Sequence, residues 1–181
     1  MEGSRVVMLF FKGSSEAKVD GKNRFVLPQA MRYGLVEGGS PEFAMALGMG
    51  GCLTIYKKST VEKIVRRFRS KQHDAKYRKF FTLFFSTLHH LSCDKLGRVV
   101  IPPVLKRAVK IGSDIVIAGV LNKIEIWPKE KYLFDLETFL EGGEGLSDMM
   151  EEAFSLLEGE ESGREMTSDP EEAEREYEAL V

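Results

Sequence analysis

One sequence pattern occurs twice in this chain. The stretch VDGKNRFVLPQAMR begins at Val19 and CDKLGRVVIPPVLK begins at Cys93, so the second copy follows the first by 74 residues. Each copy contains Asp, three residues, Arg, three apolar residues and Pro. Self-similarity at a fixed period is the signature of a repeated structural unit. The sequence therefore predicts two related modules of about 70 residues each.

The segments that follow each motif also correspond, which extends the repeat to whole modules. The first continues as PQAMRYGL and EFAMALGMGGCLTIYKK, and the second as PPVLKRAVKI and DIVIAGVLNKIEIWPKE. Proline suits the start of a helix, where its missing N–H would be unpaired anyway. CLTIY and KIEIW alternate and are rich in β-branched and aromatic residues, as in half-buried strands. Each module is thus predicted as strand, short helix, strand, loop and strand, an α+β fold.

Helices are predicted after the last strand of each module. Ser59 and Glu62 have the spacing of a capping box, and the apolar residues after them recur at helical spacing. A second helix is predicted from Asp74, and its aromatic residues are expected in the core or in a subunit interface; they are Tyr77, Phe80, Phe81 and Phe84. We also predict helices over residues 131–140 and, more briefly, 149–157.

Charge divides the chain into a basic body and an acidic tail. Residues 1–134 carry 24 basic and 11 acidic side chains, whereas residues 135–181 carry 2 basic and 17 acidic ones. A basic body indicates a polyanionic partner. The tail has too few apolar residues to offset the entropy of ordering, so we expect it to be partly disordered. It either competes with that polyanion for the basic face or only improves solubility, and the sequence leaves both open.

Several functional classes lack support in the sequence. No apolar run approaches the roughly 20 residues of a membrane span, so no membrane partner is expected and a cytosolic protein is the default. Cys52 and Cys93 lack metal-ligand spacing and suit a reducing compartment. The histidines accompany no nucleophile or paired acids, and LGMGGC is not a phosphate-binding glycine motif. No catalytic residue, metal, cofactor or small-molecule substrate is therefore predicted.

The motif itself contains the candidate binding residues. A strand alternates faces, so Asp20, Lys22 and Arg24 are expected on one side while the apolar residues after Arg24 are buried. The planar fork of arginine matches two acceptors of a phosphate or a guanine edge, and an aspartate four residues earlier is placed to hold it. Asn23 and Gly97 tolerate a positive φ in a tight turn.

The second copy has the same acid and the same guanidinium. Asp94 and Arg98 match the first copy, Leu96 replaces its lysine, and Lys95 is displaced by one residue. Two small modules that pair with each other would bring both motifs to one face, related by a pseudo-two-fold axis. The spacing also fits an Asp turn with an ion pair inside each module and no binding role, and spacing alone does not exclude this.

These features resemble the MraZ family of bacterial transcriptional regulators, which is built from two AbrB-like swapped-hairpin modules. The resemblance rests on VDGKNRFVLP and CDKLGRVVIPP as paired motifs, on GCLTIY and on NKIEIWPKEKY, and it covers about residues 8–139. It implies tandem swapped-hairpin β-barrel modules at residues 8–72 and 73–140, followed by an acidic tail at 141–181.

The resemblance also implies a function. Members of the family form ring-shaped homo-oligomers that bind short direct repeats in double-stranded DNA upstream of the division and cell-wall gene cluster, typically repressing it. The implied protein is cytoplasmic and nucleoid-associated, and its DNA-binding residues are Asp20, Lys22, Arg24, Asp94, Lys95 and Arg98. AbrB-like hairpins also occur in proteins that neutralise a partner toxin, so an antitoxin-type interaction module is the alternative.

Overall fold

The computed structural model describes residues 10–39, 41–142 and 145–161. The elements of the first repeat are β1 (Ser14–Lys18), β2 (Arg24–Val26), α1 (Gln29–Gly34), β3 (Glu42–Leu47), β4 (Leu53–Lys57) and α2 (Lys58–Arg69). A 3-10 turn (Ala75–Tyr77) and α3 (Arg78–Thr87) connect it to the second repeat. That repeat contains β5 (His89–Ser92), β6 (Arg98–Val100), α4 (Pro103–Ala108), β7 (Asp114–Val120), β8 (Lys123–Pro128) and α5 (Lys129–Leu140), and α6 (Leu146–Glu161) follows.

The two repeats have the same element order, and the α+β prediction is confirmed. In both, the motif leads into a three-residue strand, a short helix, a two-stranded hairpin and a longer helix. Pro28 immediately precedes α1, and Pro103 is the first residue of α4. Proline fixes φ near the helical value and lacks an N–H that would be unpaired there, so both helices begin where the sequence predicts.

The strands of the two repeats are interleaved. Six strands form one antiparallel sheet in the order β1-β7-β8-β4-β3-β5, and β2 pairs with β6 in a separate two-stranded ribbon. The first strand of each repeat therefore pairs with the hairpin of the other repeat. Exchanging corresponding strands of the two repeats leaves this order unchanged. Across the described residues, β1 and β5 are the free edges of the sheet, which is open rather than closed into a barrel.

The two edge strands are the elements that the sequence pattern does not reveal. β1 is SSEAK and β5 is HHLS, and most of their residues are exposed. A short edge strand that is largely exposed contains too few apolar residues to show the alternation of a half-buried strand. Polar residues also protect such edges from pairing with other chains.

A single hydrophobic core contains residues of both repeats. Phe25 and Val99, at the middle of β2 and β6, lie fully inside it with Leu27 and Ile101, which follow those strands. The sheet contributes the remaining large buried side chains, including Phe43, Met45, Leu53, Ile55, Ile115, Ile117, Ile124 and Ile126. Each such side chain contributes about 1.5–3 kcal/mol when fully buried. Because both repeats supply this core, neither buries its apolar residues alone.

Helix α2 begins differently from the predicted capping box. β4 runs directly into it, and Lys57 is the N-cap but makes no capping hydrogen bond with its own side chain. The backbone N–H of Ser59 donates to Glu37 Oε2 at 3.0 Å, and its hydroxyl donates to Glu37 Oε1. The carboxylate that satisfies this helix start therefore comes from the loop after α1 rather than from Glu62. The capping-box prediction is wrong because the helix starts one residue earlier than Ser59.

Replacing Glu37 with alanine is expected to lower the free energy of unfolding by about 1–2 kcal/mol, since a helix-terminal N–H and a hydroxyl lose their acceptor. Replacing Glu62 with alanine is the matched control and should change it by less than about 0.5 kcal/mol. Chemical denaturation of the two variants measures both values. A larger loss in the Glu62 variant would contradict the assignment of Glu37.

Aromatic residues connect α2 to α3. Phe68 contacts four phenylalanines of α3, with ring centroids 5.3–6.2 Å apart; they are Phe80, Phe81, Phe84 and Phe85. We call these five residues the aromatic cluster. Phe84 is buried, as the core prediction requires, whereas Tyr77 and Phe80 are 37% and 46% exposed. Phe85 is 37% exposed. The predicted subunit interface at this helix stays a prediction.

The chain divides into two compact units, Met1–Lys131 and Tyr132–Val181. The first contains both repeats up to the start of α5. The second contains the rest of α5 and α6, which confirm the helices predicted over 131–140 and 149–157. The predicted disorder of the tail concerns mostly residues 162–181, which lie outside the described residues. Within the described part of the chain, no helix is long and apolar enough to cross a membrane.

Candidate nucleic-acid interface

Each motif forms a tight turn that is closed by its aspartate. Asp20 Oδ1 accepts the backbone N–H groups of Lys22 and Arg24, each at 2.9 Å. Asp94 Oδ1 accepts those of Leu96 and Arg98 at the same distance. A short carboxylate that accepts nearby backbone N–H groups is the usual way an aspartate nucleates a turn.

The predicted strand alternation of Asp20, Lys22 and Arg24 is therefore wrong. Only Arg24 belongs to β2, and residues 20–23 form the turn before it. The prediction of a positive φ is confirmed, with +59° at Asn23 and +76° at Gly97. A left-handed residue at this place reverses the chain, and glycine and asparagine accept that conformation more readily than other residues.

The aspartates also hold the side chains of the arginines. Asp20 Oδ2 lies 2.8 Å from Arg24 Nε and 2.7 Å from Arg24 Nη2, and Asp94 Oδ2 lies 2.6 Å from Arg98 Nε. The hydrogen bond from the Arg24 side chain, assisted by its backbone N–H, lowers the pKa of Asp20 from 3.8 to about 2. Hydrogen bonds from the backbone and then the side chain of Arg98 lower the pKa of Asp94. Both carboxylates are thus ionised at neutral pH.

Removing the guanidinium of Arg24 is expected to return the pKa of Asp20 toward 3.8. The depressed pKa means that the pair stabilises the fold above about pH 3.8 and that this contribution is lost as the pH falls through about 2. Carboxyl-carbon chemical shifts of Asp20 measured over a pH titration test this in the Arg24→Ala variant. The Arg98→Ala variant is the control and should leave the low pKa of Asp20 in place.

Pairing of β2 with β6 brings the two turns together. Arg24 lies opposite Val100, Phe25 opposite Val99 and Val26 opposite Arg98. The backbone N–H of the residue before each proline also donates to the carbonyl of the other turn, at 2.8–3.0 Å, which ties each strand end to the opposite turn. The arginines lie two residues apart along the ribbon and share its outer face, because strand residues alternate. The structure thus places both motifs side by side, as the pseudo-symmetric arrangement requires.

The lysines of the motif lie in the turns rather than on the ribbon. Lys22 and Lys95 are both exposed, one position apart in the repeat. Leu96 occupies the place of Lys22 in the second turn and is 65% exposed. The four motif residues that form ion pairs are therefore equivalent in the two repeats, while the lysines are not.

Two basic residues that the motif analysis missed brace the turns from the opposite repeat. Lys106 Nζ of α4 donates to Asn23 Oδ1 at 2.7 Å. At the equivalent place, the Arg32 guanidinium of α1 lies directly over Gly97, where a Cβ would overlap it. In the described part of the chain, Arg32 Nε is buried and has no hydrogen-bond partner. The sequence contains a signal for these two residues, because a basic residue follows each motif arginine by eight positions.

The site has the charge and shape of an anion-binding surface. Each aspartate balances its own arginine, so Lys22, Lys95, Arg32 and Lys106 leave an excess of positive charge around the ribbon. A two-stranded ribbon is narrow enough to enter the major groove of DNA. Arginines that are oriented before binding lose less entropy when they form bidentate hydrogen bonds.

The described residues contain little other chemistry. They include no group of three or more histidine, cysteine or acidic residues that could hold a metal ion. Cys52 is buried, and burial raises the pKa of its thiol to about 11. Such a thiol is protonated at neutral pH and unreactive.

Comparison with known proteins assigns the chain to a family. The family model described as "MraZ protein, putative antitoxin-like" matches residues 10–82 and 84–141. The chain belongs to the MraZ family. The chain is 36% identical to a protein of Clostridium tetani over 125 residues, 67% of this chain and 84% of that protein. It is 34% identical to one of Mycoplasma mobile over 143 residues, 78% and 94% of the two chains. Both are named "Transcriptional regulator MraZ".

Membership in MraZ confirms the family predicted from the paired motifs. Relatives with this name are transcriptional regulators, a class without enzymatic activity. The chain is accordingly a regulator of transcription and not an enzyme. The matched residues include both Asp-Arg turns and the ribbon between them.

Proposed function

We propose that this protein is a sequence-specific DNA-binding regulator that binds the major groove of double-stranded DNA with the ribbon face. The observation that carries the proposal is the pairing of β2 with β6, which displays Arg24 and Arg98 on one face with their side chains held by aspartates. If each motif formed only a turn with an internal ion pair and had no binding role, the fold would not need to place two copies side by side in a basic body.

Each motif residue has a separate role in this proposal. Arg24 and Arg98 read guanine edges or hold phosphates, since the arginine fork fits either. Lys22 and Lys95 attract the phosphate backbone from the exposed turns. Asp20 and Asp94 orient the arginines and do not contact DNA directly.

The modular organisation belongs to the same proposal. Pairing of β1 and β5 with the hairpins of the opposite repeat is what a swapped-hairpin arrangement would produce, although the described strands do not close into the β-barrel expected of the two modules. We place the modules at residues 8–72 and 73–140, with the tail at 141–181.

A ring-shaped homo-oligomer would bind tandem boxes far more tightly than one copy does, because the later contacts are intramolecular. The exposed part of the aromatic cluster is the candidate interface, and a monomeric particle in sedimentation would contradict it.

The target that fits this arrangement is a set of short, G-containing direct repeats upstream of the division and cell-wall genes, including the protein's own gene. Repression there, in the cytoplasm at the nucleoid, is the proposed outcome. A gel shift tests the proposal with the duplex found upstream of its own gene and a scrambled duplex of the same composition. Tighter binding of the upstream duplex at every salt concentration is the expected result, and equal binding of both duplexes would overturn the proposal.

An antitoxin-type protein-interaction module is the second candidate. The family description contains the word antitoxin, and the exposed phenylalanines of the aromatic cluster offer an apolar surface. A stoichiometric protein complex that forms without DNA, combined with no preference for the upstream duplex, would favour this candidate over DNA binding.

A further inference from the structure

The outer face of the ribbon contains two valines beside the two arginines. Val26 is 52% and Val100 is 48% exposed, whereas Phe25 and Val99 between them and the arginines are buried. The outer face therefore consists of Arg24, Val26, Arg98 and Val100 in alternation. Neither valine contributes to the core, so the packing of the fold does not explain why both positions are apolar.

Register places each valine next to an arginine of the other repeat. Val26 is the partner of Arg98, and Val100 is the partner of Arg24. Directly opposite residues of an antiparallel pair have Cβ atoms about 5 Å apart. Each side of the ribbon thus presents one oriented guanidinium and one branched apolar side chain, and the two sides are related by the exchange of the repeats.

The chemistry of the major groove supplies one group that matches the valines. Base edges there carry hydrogen-bonding atoms, and the C5-methyl of thymine is the apolar group among them. A valine near a phosphate would gain nothing, since it can neither donate a hydrogen bond nor offset charge. An arginine bound to guanine O6 and N7 would bring the neighbouring valine to the edge of an adjacent base pair.

We propose that Val26 and Val100 contact thymine methyl groups next to the guanines read by Arg98 and Arg24, and so contribute to base specificity. This inference rests on the proposed function, which requires the ribbon to enter the major groove. It adds a prediction about the target: guanine and thymine occur together in each recognised box. Methyl contact distinguishes thymine from cytosine, which has no methyl group at that position.

Strand propensity is the competing explanation, because β-branched residues are favoured in strands whether or not they touch a ligand. The two explanations differ in what they require of the DNA. Strand propensity does not depend on the DNA. Only methyl contact predicts that the unmodified protein binds more weakly when the thymine methyl is removed.

The test uses the duplex upstream of the protein's own gene, synthesised once with thymidine and once with deoxyuridine, which lacks only the methyl group. Fluorescence anisotropy gives the Kd of each duplex at one salt concentration. The unmodified protein should bind the uracil duplex about fourfold more weakly for each contacted methyl, and about fifteenfold for two. The V26A/V100A variant should bind both duplexes equally, with an affinity near that of the unmodified protein for the uracil duplex.

Val36→Ala is the matched control, because Val36 is an exposed valine outside the ribbon. It should keep the full response to methyl removal. Equal binding of both duplexes by the unmodified protein would overturn the inference, and so would an undiminished response in V26A/V100A. Failure of the proposed function is a different result, in which the thymidine duplex binds no better than a scrambled duplex of the same composition.

Discussion

Replacing Arg24 and Arg98 together with alanine is expected to weaken specific DNA binding on the order of a thousandfold. Each bidentate arginine contact to a base is worth about 1–3 kcal/mol of discrimination, or roughly 5- to 150-fold. Both arginines lie on one face, so the double variant removes both contacts of one site. Binding isotherms with the upstream and scrambled duplexes should converge, since what is lost is the preference and not the general attraction to DNA.

Two matched variants separate base reading from charge. R24K/R98K keeps both positive charges but loses the planar fork, so it should retain nonspecific binding and lose most of the preference for the upstream duplex. K22A/K95A should weaken binding of both duplexes alike and reduce the slope of log K against log salt by about one per lysine. A preference that survives in R24A/R98A would contradict the role given to the arginines.

Replacing Gly97 with valine is expected to destabilise the protein by about 2–4 kcal/mol, because two costs combine. A β-branched residue at a φ of +76° is strained by about 1–3 kcal/mol. Its side chain would also displace the Arg32 guanidinium that covers this turn. For a chain of this length the melting temperature should fall by roughly 5–15 °C, measured by circular dichroism.

Gly13 provides the control for this substitution. It has a φ of +78° and open space where a Cβ would lie, so Gly13→Val carries the backbone strain alone. The difference between the two variants is the contribution of Arg32. Adding Arg32→Ala should recover part of the loss in the Gly97 variant and none in the Gly13 variant. Equal losses at both glycines would show that the cover over Gly97 adds nothing to stability.

The sequence predicts the repeat, the turns and the adjacency of the two motifs, because these follow from local chemistry. In both copies an aspartate four residues before an arginine, with asparagine or glycine at the position of positive φ, closes the same turn. The apolar residues after each arginine dictate one buried and one exposed face. Because the motif is duplicated, pairing of the two copies is the simplest way to cover the apolar face of each.

What the sequence does not reveal depends on contacts between distant residues. β1 and β5 are polar edge strands, so their pairing is decided by the hairpins that they join and not by their own pattern. Lys106 reaches Asn23 across 83 residues, and Glu37 reaches Ser59 from a loop. No periodicity encodes such contacts, and a local rule such as the capping box then selects the wrong partner.

The two turns also show how a repeated element accommodates a difference in sequence. In the first, the side chain of Asn23 accepts a hydrogen bond from Lys106; in the second, Gly97 has no side chain, and Arg32 fills the space. Exchanging Asn23 and Gly97 alone would therefore leave a lysine without its acceptor and an arginine in a collision. Each turn is matched to the helix of the opposite repeat.

Both strands of the ribbon come from one polypeptide, and this sets how the binding surface responds to dilution. Two separate chains that each supplied one strand would lose the surface as they dissociated. Here the covalent connection between β2 and β6 keeps the strands together at any concentration. A single newly synthesised molecule thus already has a complete pair of arginines. In the proposed ring, assembly would change how many such pairs act on one stretch of DNA and would leave each pair as it was.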